Sequence, residues 1–173
     1  MGPTGRAQPS CGLAILDIVL RVASVRLTDG ESWELLERSR VGVFTSLKLD
    51  GTPISLPVWF APLEGRIYLH GPSSSKKFTR VRNNPRVSFV CESGERWVEL
   101  TAVHLTGQAR VLCDEHALEE SVSAAFDRRY AELRPSTIPK AARDNYRQFS
   151  VIEIVPDARI LSWDNSRLGL GRP

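Results

Sequence analysis

Residues Gly71 to Val90 read GPSSSKKFTRVRNNPRVSFV. The glycine, proline and three serines make a loop. The loop opens a short basic helix over residues 76–83. Asn84-Pro85 stops that helix, because the residue before a proline is pushed out of the helical region. Arg86 to Glu92 then reads as a strand. At the start of such a helix, unpaired backbone N–H groups, the hydroxyls of Ser73, Ser74 and Ser75, and the ammonium groups of Lys76 and Lys77 converge. The helix dipole points the same way as those donors, which makes an anion site. The competing reading of the same residues is a solvated, charged helix with a serine cap.

Working upstream, a helix opens near Asp29, with Asp29 or Ser32 as cap and Trp33, Leu35 and Leu36 as its apolar face. Val41 to Leu49 is rich in β formers. Asp50-Gly51 closes it as a hairpin turn. A second strand runs from Ile54 to Ala61, where Pro57 implies an edge or a bulge. Glu64-Gly65 turns the chain into a third strand, Arg66 to His70. Downstream, Ser93-Gly94 is a turn and Trp97 to Leu112 one long strand with a bulge at Gly107. Asp114 caps a helix to about Leu133, 141–148 reads as a helical turn, and Phe149–Val155 and Arg159–Trp163 close the chain as strands. Many short strands, tight turns and few helices predict a mainly β fold with flanking helices, an antiparallel barrel rather than βαβ units.

The domain organisation follows. Residues 1–28 are a flexible N-terminal extension, 29–168 the barrel domain and 169–173 a tail. The chain of 173 residues suffices for one core. A net charge of +3 is too small to argue for nucleic acid. Three cysteines, Cys11, Cys91 and Cys113, show no C-x-x-C spacing, so a disulfide framework or zinc site is not expected and a reducing compartment is. The apolar run Cys11 to Leu20 is broken by Asp17, unlike a signal peptide, and falls short of a membrane span. The expected location is the cytoplasm.

The order strand, Asp-Gly turn, strand with Pro57-Val58-Trp59-Phe60, turn, strand, Ser75-x-Lys77, then Asn84-Pro85-Arg86-Val87-Ser88 resembles the pyridoxamine 5′-phosphate oxidase-like superfamily. The order of elements is similar over Asp29 to Trp163, and the residues themselves over Gly51 to Val90. The resemblance implies an FMN-binding split β-barrel that works as a homodimer. Ser75 and Lys77 would hold the cofactor phosphate, with Ser74 and Lys76 beside them. The backbone of Pro57, Val58, Trp59 and Phe60 would meet the ring. Trp97 and the Trp163-Asp164-Asn165 segment would reach the partner's cofactor.

This chain departs from the oxidases of vitamin B6. Ser55 and Phe60 stand where those enzymes carry a further Arg and Lys, and His70-Gly71 replaces a Tyr-Thr. The Pro-Val-Trp-Phe strand is more similar to the reductase branches that bind FMN or the deazaflavin coenzyme F-420. FMN is therefore the expected cofactor and F-420 its alternative. The implied reaction is hydride transfer to or from a small organic substrate. The ring carries that chemistry, so no catalytic side chain is assigned. A flavin- or haem-binding carrier or sensor without turnover is the alternative function.

Other clusters weigh less. His70, His104 and His116 are too dispersed for a metal site, and His70 reads as a rim residue. Arg80, Arg82 and Arg86 extend the basic patch of Lys76 and Lys77, but only Phe78 interleaves it, which speaks against nucleic acid. Glu92, Glu95 and Glu99 around Arg96 read as exposed ion pairing.

Overall fold

The computed structural model describes residues 24–133 and 148–169. Helix α1 (Asp29–Arg38) packs Leu35 and Leu36 into the core. Its cap is Thr28 rather than Asp29 or Ser32. The Thr28 hydroxyl accepts from the Glu31 amide at 3.3 Å, and the Glu31 carboxylate accepts from the Thr28 amide at 2.7 Å. This reciprocal pair satisfies two donors that the first turn leaves open. Ser32 is instead buried, donating to the Thr28 carbonyl.

Strand β1 (Val41–Leu47) turns at Asp50-Gly51, where Gly51 takes φ +82°, into β2 (Pro53–Trp59). A three-residue strand β3 (Ala61–Leu63), not separated in the sequence reading, leads into β4 (Arg66–Pro72). Helix α2 (Lys76–Asn83) connects β4 to β5 (Arg86–Ser93). Strand β6 (Thr101–Val111), helix α3 (His116–Tyr130) and β7 (Phe149–Asp164) follow. All seven strands are antiparallel to their neighbours, in the order β2-β1-β5-β6-β7-β4-β3. The two edge strands are consecutive in sequence, separated by Phe60 alone, so the sheet curls until its edges meet across a split. Pro57 sits on edge strand β2, where its missing N–H deprives no neighbour of a ladder bond.

Three further expectations are corrected. Trp97 to Glu99 form a 3-10 turn before β6 rather than its first residues, with the Leu100 amide bonded to the Trp97 carbonyl at 3.3 Å. Asp114 does not cap α3. It takes φ +60°, and Glu115 occupies the cap position. The last two strands are one, because Pro156 is accommodated opposite Gly107 at the bulge in β6. A side chain at Gly107 would collide with the Val155 carbonyl, so the glycine permits the close approach. The helical turn expected over 141–148 lies outside the described residues, save for Gln148.

Two apolar clusters fill the fold. Phe44, Phe60, Ile67, Leu69, Phe89, Leu105, Ile152 and Ile154 fill the barrel, and Phe78 and Val81 of α2 join them. Residues of the opposite strand face, Tyr68 and Val151 among them, are covered by Val122, Phe126 and Tyr130 of α3. Period-2 alternation in β1 and β4 and the helical spacing of 122, 126 and 130 produce these faces directly.

Candidate anion and ring site

The candidate anion site is built where β4 ends and α2 begins. Ser75 is the α2 N-cap, and its hydroxyl makes no capping bond. Its amide donates to the Pro72 carbonyl at 2.9 Å, which fixes the loop. Ser73 is tied to β7: its hydroxyl shares a 2.8 Å hydrogen bond with Ser150, and its amide donates to the Gln148 carbonyl. Ser74 and Lys76 are exposed beside it.

Lys77 decides the character of the place. Its side chain is half-buried and folds back toward β4, so that a Cβ added at Gly71 would stand 2.7 Å from Nζ. The ammonium lies 5.5 Å from the Phe78 ring. Burial holds its pKa below the ordinary lysine range, and the Arg80 guanidinium pushes the same way. Arg80 is itself aimed by a 2.8 Å bond from Nε to the buried hydroxyl of Ser46. The first turn of α2 carries no acidic residue. Among the described residues no carboxylate pairs with Lys76, Lys77, Arg80 or Arg82. Two cations and a helix N-terminus thus face one loop without a counter-charge. An oxyanion fits this donor set, with hydroxyl and amide hydrogen bonds available to it.

The second group of expected residues lies on β2, which passes close to β4 across the split. Pro57 is exposed and Val58 half-buried against the core. Trp59 is 37% exposed and stacks on Tyr130, with ring centroids 4.3 Å apart and planes within 5°. Phe60 places its side chain in the barrel interior, fully buried against Phe89, so only its backbone faces outward chemistry. Even that backbone is engaged: the Phe60 amide donates to the Tyr130 hydroxyl at 2.9 Å, and the hydroxyl lies 2.7 Å from the Phe60 carbonyl. Trp97 is 59% exposed at the far end of β5 from α2, and its carbonyl accepts from Asn165. Within one chain it is not brought to the anion site. His70, adjoining Gly71, is half-buried between Phe126 and Phe149 at 5.5 and 4.7 Å.

Tyr130 and Ser46 escaped the sequence reading as site neighbours, whereas Arg80 already belonged to the basic patch read there. Tyr130 carries no local signal, since an aromatic at helical spacing reads as core. Its hydroxyl becomes structural only because α3 returns beneath β2.

Beyond the area that α3 covers at Tyr68, Val151 and Trp59, the strand face away from the barrel interior continues across β2, β1, β5, β6 and β7. Register places Pro57, Val43, Val90, His104 and Leu161 in one row across β2, β1, β5, β6 and β7. Val41, Val43, Leu161 and Trp163 on this face are exposed. Among the described residues, no three His, Cys, Asp or Glu side chains converge as a metal site requires. No described helix is long and apolar enough to cross a membrane.

The model of the pyridoxamine 5′-phosphate oxidase family matches residues 28–160. The chain belongs to that family. Rv2991 of Mycobacterium tuberculosis is similar in structure at 26% identity, with a TM-score of 0.72 over 87% of this chain and 93% of that one. An FAD-binding protein of Mesorhizobium loti superposes at 21% identity with TM-score 0.63, over 79% and 94% of the two chains. The haem storage protein HutZ of Vibrio cholerae shares the fold at 12% identity and TM-score 0.62, over 81% and 96%. A search of curated proteins finds no match. The seven-stranded curled sheet with flanking helices is the split β-barrel of flavin-binding proteins.

Proposed function

We propose that the chain is a homodimeric oxidoreductase of the cytoplasm. It holds FMN, or the deazaflavin coenzyme F-420, by its phosphate and serves hydride transfer with a small organic substrate. The observation that carries this reading is the half-buried Lys77 ammonium, uncompensated beside Gly71 at the α2 N-terminus. Ser75, with its hydroxyl free of capping duty, and Arg80 would complete the phosphate cradle. When bound, the ring supplies the redox chemistry. The chain's own work is to anchor the phosphate, present the β2 edge at Pro57–Trp59 to the ring, and exclude water. Family membership supports a flavin-type cofactor, and the M. loti relative binds FAD. The uncovered apolar strand face supports the homodimer, since a contiguous exposed apolar patch of this kind marks an association surface.

Titration of the purified chain with FMN, F-420 and haemin separately, followed by fluorescence quenching and absorbance, tests the reading. Tight binding of FMN or F-420, weakened about tenfold or more in Lys77→Ala, is expected, with substrate-dependent bleaching of the bound ring. Haemin binding in place of both flavin-type cofactors would overturn the oxidoreductase reading in favour of a carrier.

A further inference from the structure

We infer that the chain carries a second oxyanion site, separate from the α2 N-terminus, in a cavity of about 290 Å³ formed where α1 and α3 both end. Arg40, Arg128 and Arg129 line it together with Ala61, Pro62 and Ala125, and no carboxylate does. The three arginines have different duties. Arg129 is fully engaged: its guanidinium donates to the carbonyls of Leu36, Glu37 and Ser39, and its Nε to the Tyr130 hydroxyl at 3.3 Å. It thereby closes the C-terminal end of α1, and the negative end of that helix dipole accounts for its charge. Arg40 and Arg128 have no such partner. Neither guanidinium makes a hydrogen bond or ion pair among the described residues, yet both are held beside Arg129.

Three guanidinium groups around one cavity repel one another unless an anion sits between them. Helix-end electrostatics explains one of the three, and Arg40 and Arg128 are left with their forks open. Planar guanidinium forks match the two oxygens of a carboxylate or phosphate. The cavity is at the lower limit of the roughly 300–1,000 Å³ of whole-ligand pockets. Its occupant is therefore a small oxyanion, or the anionic end of a larger molecule, rather than an entire cofactor. The wall continues through Arg129 to Tyr130, on which Trp59 stacks, so occupancy is coupled to an indole that fluoresces.

The test uses the full chain carrying Lys77→Ala, which removes the α2 site and leaves this one. It is titrated at low ionic strength with inorganic phosphate and, in parallel, with citrate, by calorimetry and tryptophan emission. Saturable binding of either anion is expected. Adding Arg128→Gln or Arg40→Gln should weaken it about tenfold, and Trp59→Phe should remove the emission change while sparing the heat. Preference between the two anions identifies phosphate or carboxylate as the natural group. Both Gln variants replace exposed side chains and preserve the fold, whereas Arg129 is left intact because α1 depends on it. Absence of saturable binding in the Lys77→Ala chain, or binding unchanged by both Gln substitutions, overturns the inference.

Discussion

Lys77, the proposed phosphate ligand, weakens the fold that holds it. Its folded pKa lies below that of the unfolded chain, so the unfolded state binds more protons across that interval. Stability contributed at this position therefore rises with pH through the window below the normal lysine range, and the full cost of the buried charge is present at neutral pH. Lys77→Met should leave the melting temperature of the free protein unchanged or higher while abolishing phosphate-anchored binding; a calorimetric scan of both proteins checks it. Glu153 has the opposite sign. Burial alone would raise its carboxyl, but hydrogen bonds from Arg110, Arg66 and Tyr68 outweigh this and hold it below the usual carboxylate range. The stabilisation is complete above an unfolded value of about 4.3 and is lost as pH falls through the lowered folded value. Glu153→Gln leaves two guanidinium groups facing a neutral amide and should cost of order 3 kcal/mol at pH 7. Its stability should also lose the share of the wild-type acid-side slope that Glu153 contributes, so denaturant titrations from pH 7 to pH 3 should give a shallower fall.

At the scale of elements, α2 links the core to the proposed phosphate site. Phe78 and Val81 anchor one face in the barrel while Lys77 and Arg80 emerge from the adjacent faces. Phe78→Ala should cost about 3–5 kcal/mol through lost transfer and cavity terms, and should also loosen the anion site, because the α2 N-terminus would no longer be held against β4. Denaturation midpoints together with cofactor titration separate the two effects. The helix was legible in sequence since Ser75 and Asn84-Pro85 mark both its ends chemically. The true start of β6 and the unity of β7 were not. Trp97 is a good strand former, but Gly94 at φ +101° and the Arg96–Glu99 pair fold the chain into a turn there. Pro156 reads as a break until the bulge at Gly107 is placed opposite it.

At the scale of the whole molecule, the outer face of the seven-stranded sheet leaves Val41, Val43, Leu161 and Trp163 exposed. Replacing Val43 and Leu161 by Glu places charges on either side of Val90 and His104 in the row across the strands. If that face joins two copies, the double variant should run as a monomer in light scattering while keeping the wild-type circular dichroism spectrum. An unchanged mass would move the dimer contact elsewhere or remove it.

What the amino-acid order determined by itself is local: alternation that makes strands, the Asp50-Gly51 hairpin, the α2 boundaries, and the serines and lysines gathered at the start of α2 as a candidate anion site. These are signals written within a few residues, where turn geometry and dipole act. Tertiary structure alone decided that Phe60 belongs to the core while Trp59 beside it stacks on Tyr130, 71 positions later. It alone brought Arg40 to Arg128 and Arg129, and set Lys77 against Gly71 with no counter-charge. Such pairings depend on how the sheet curls and where α3 returns, and no local preference encodes a contact made only when the edges of a barrel meet.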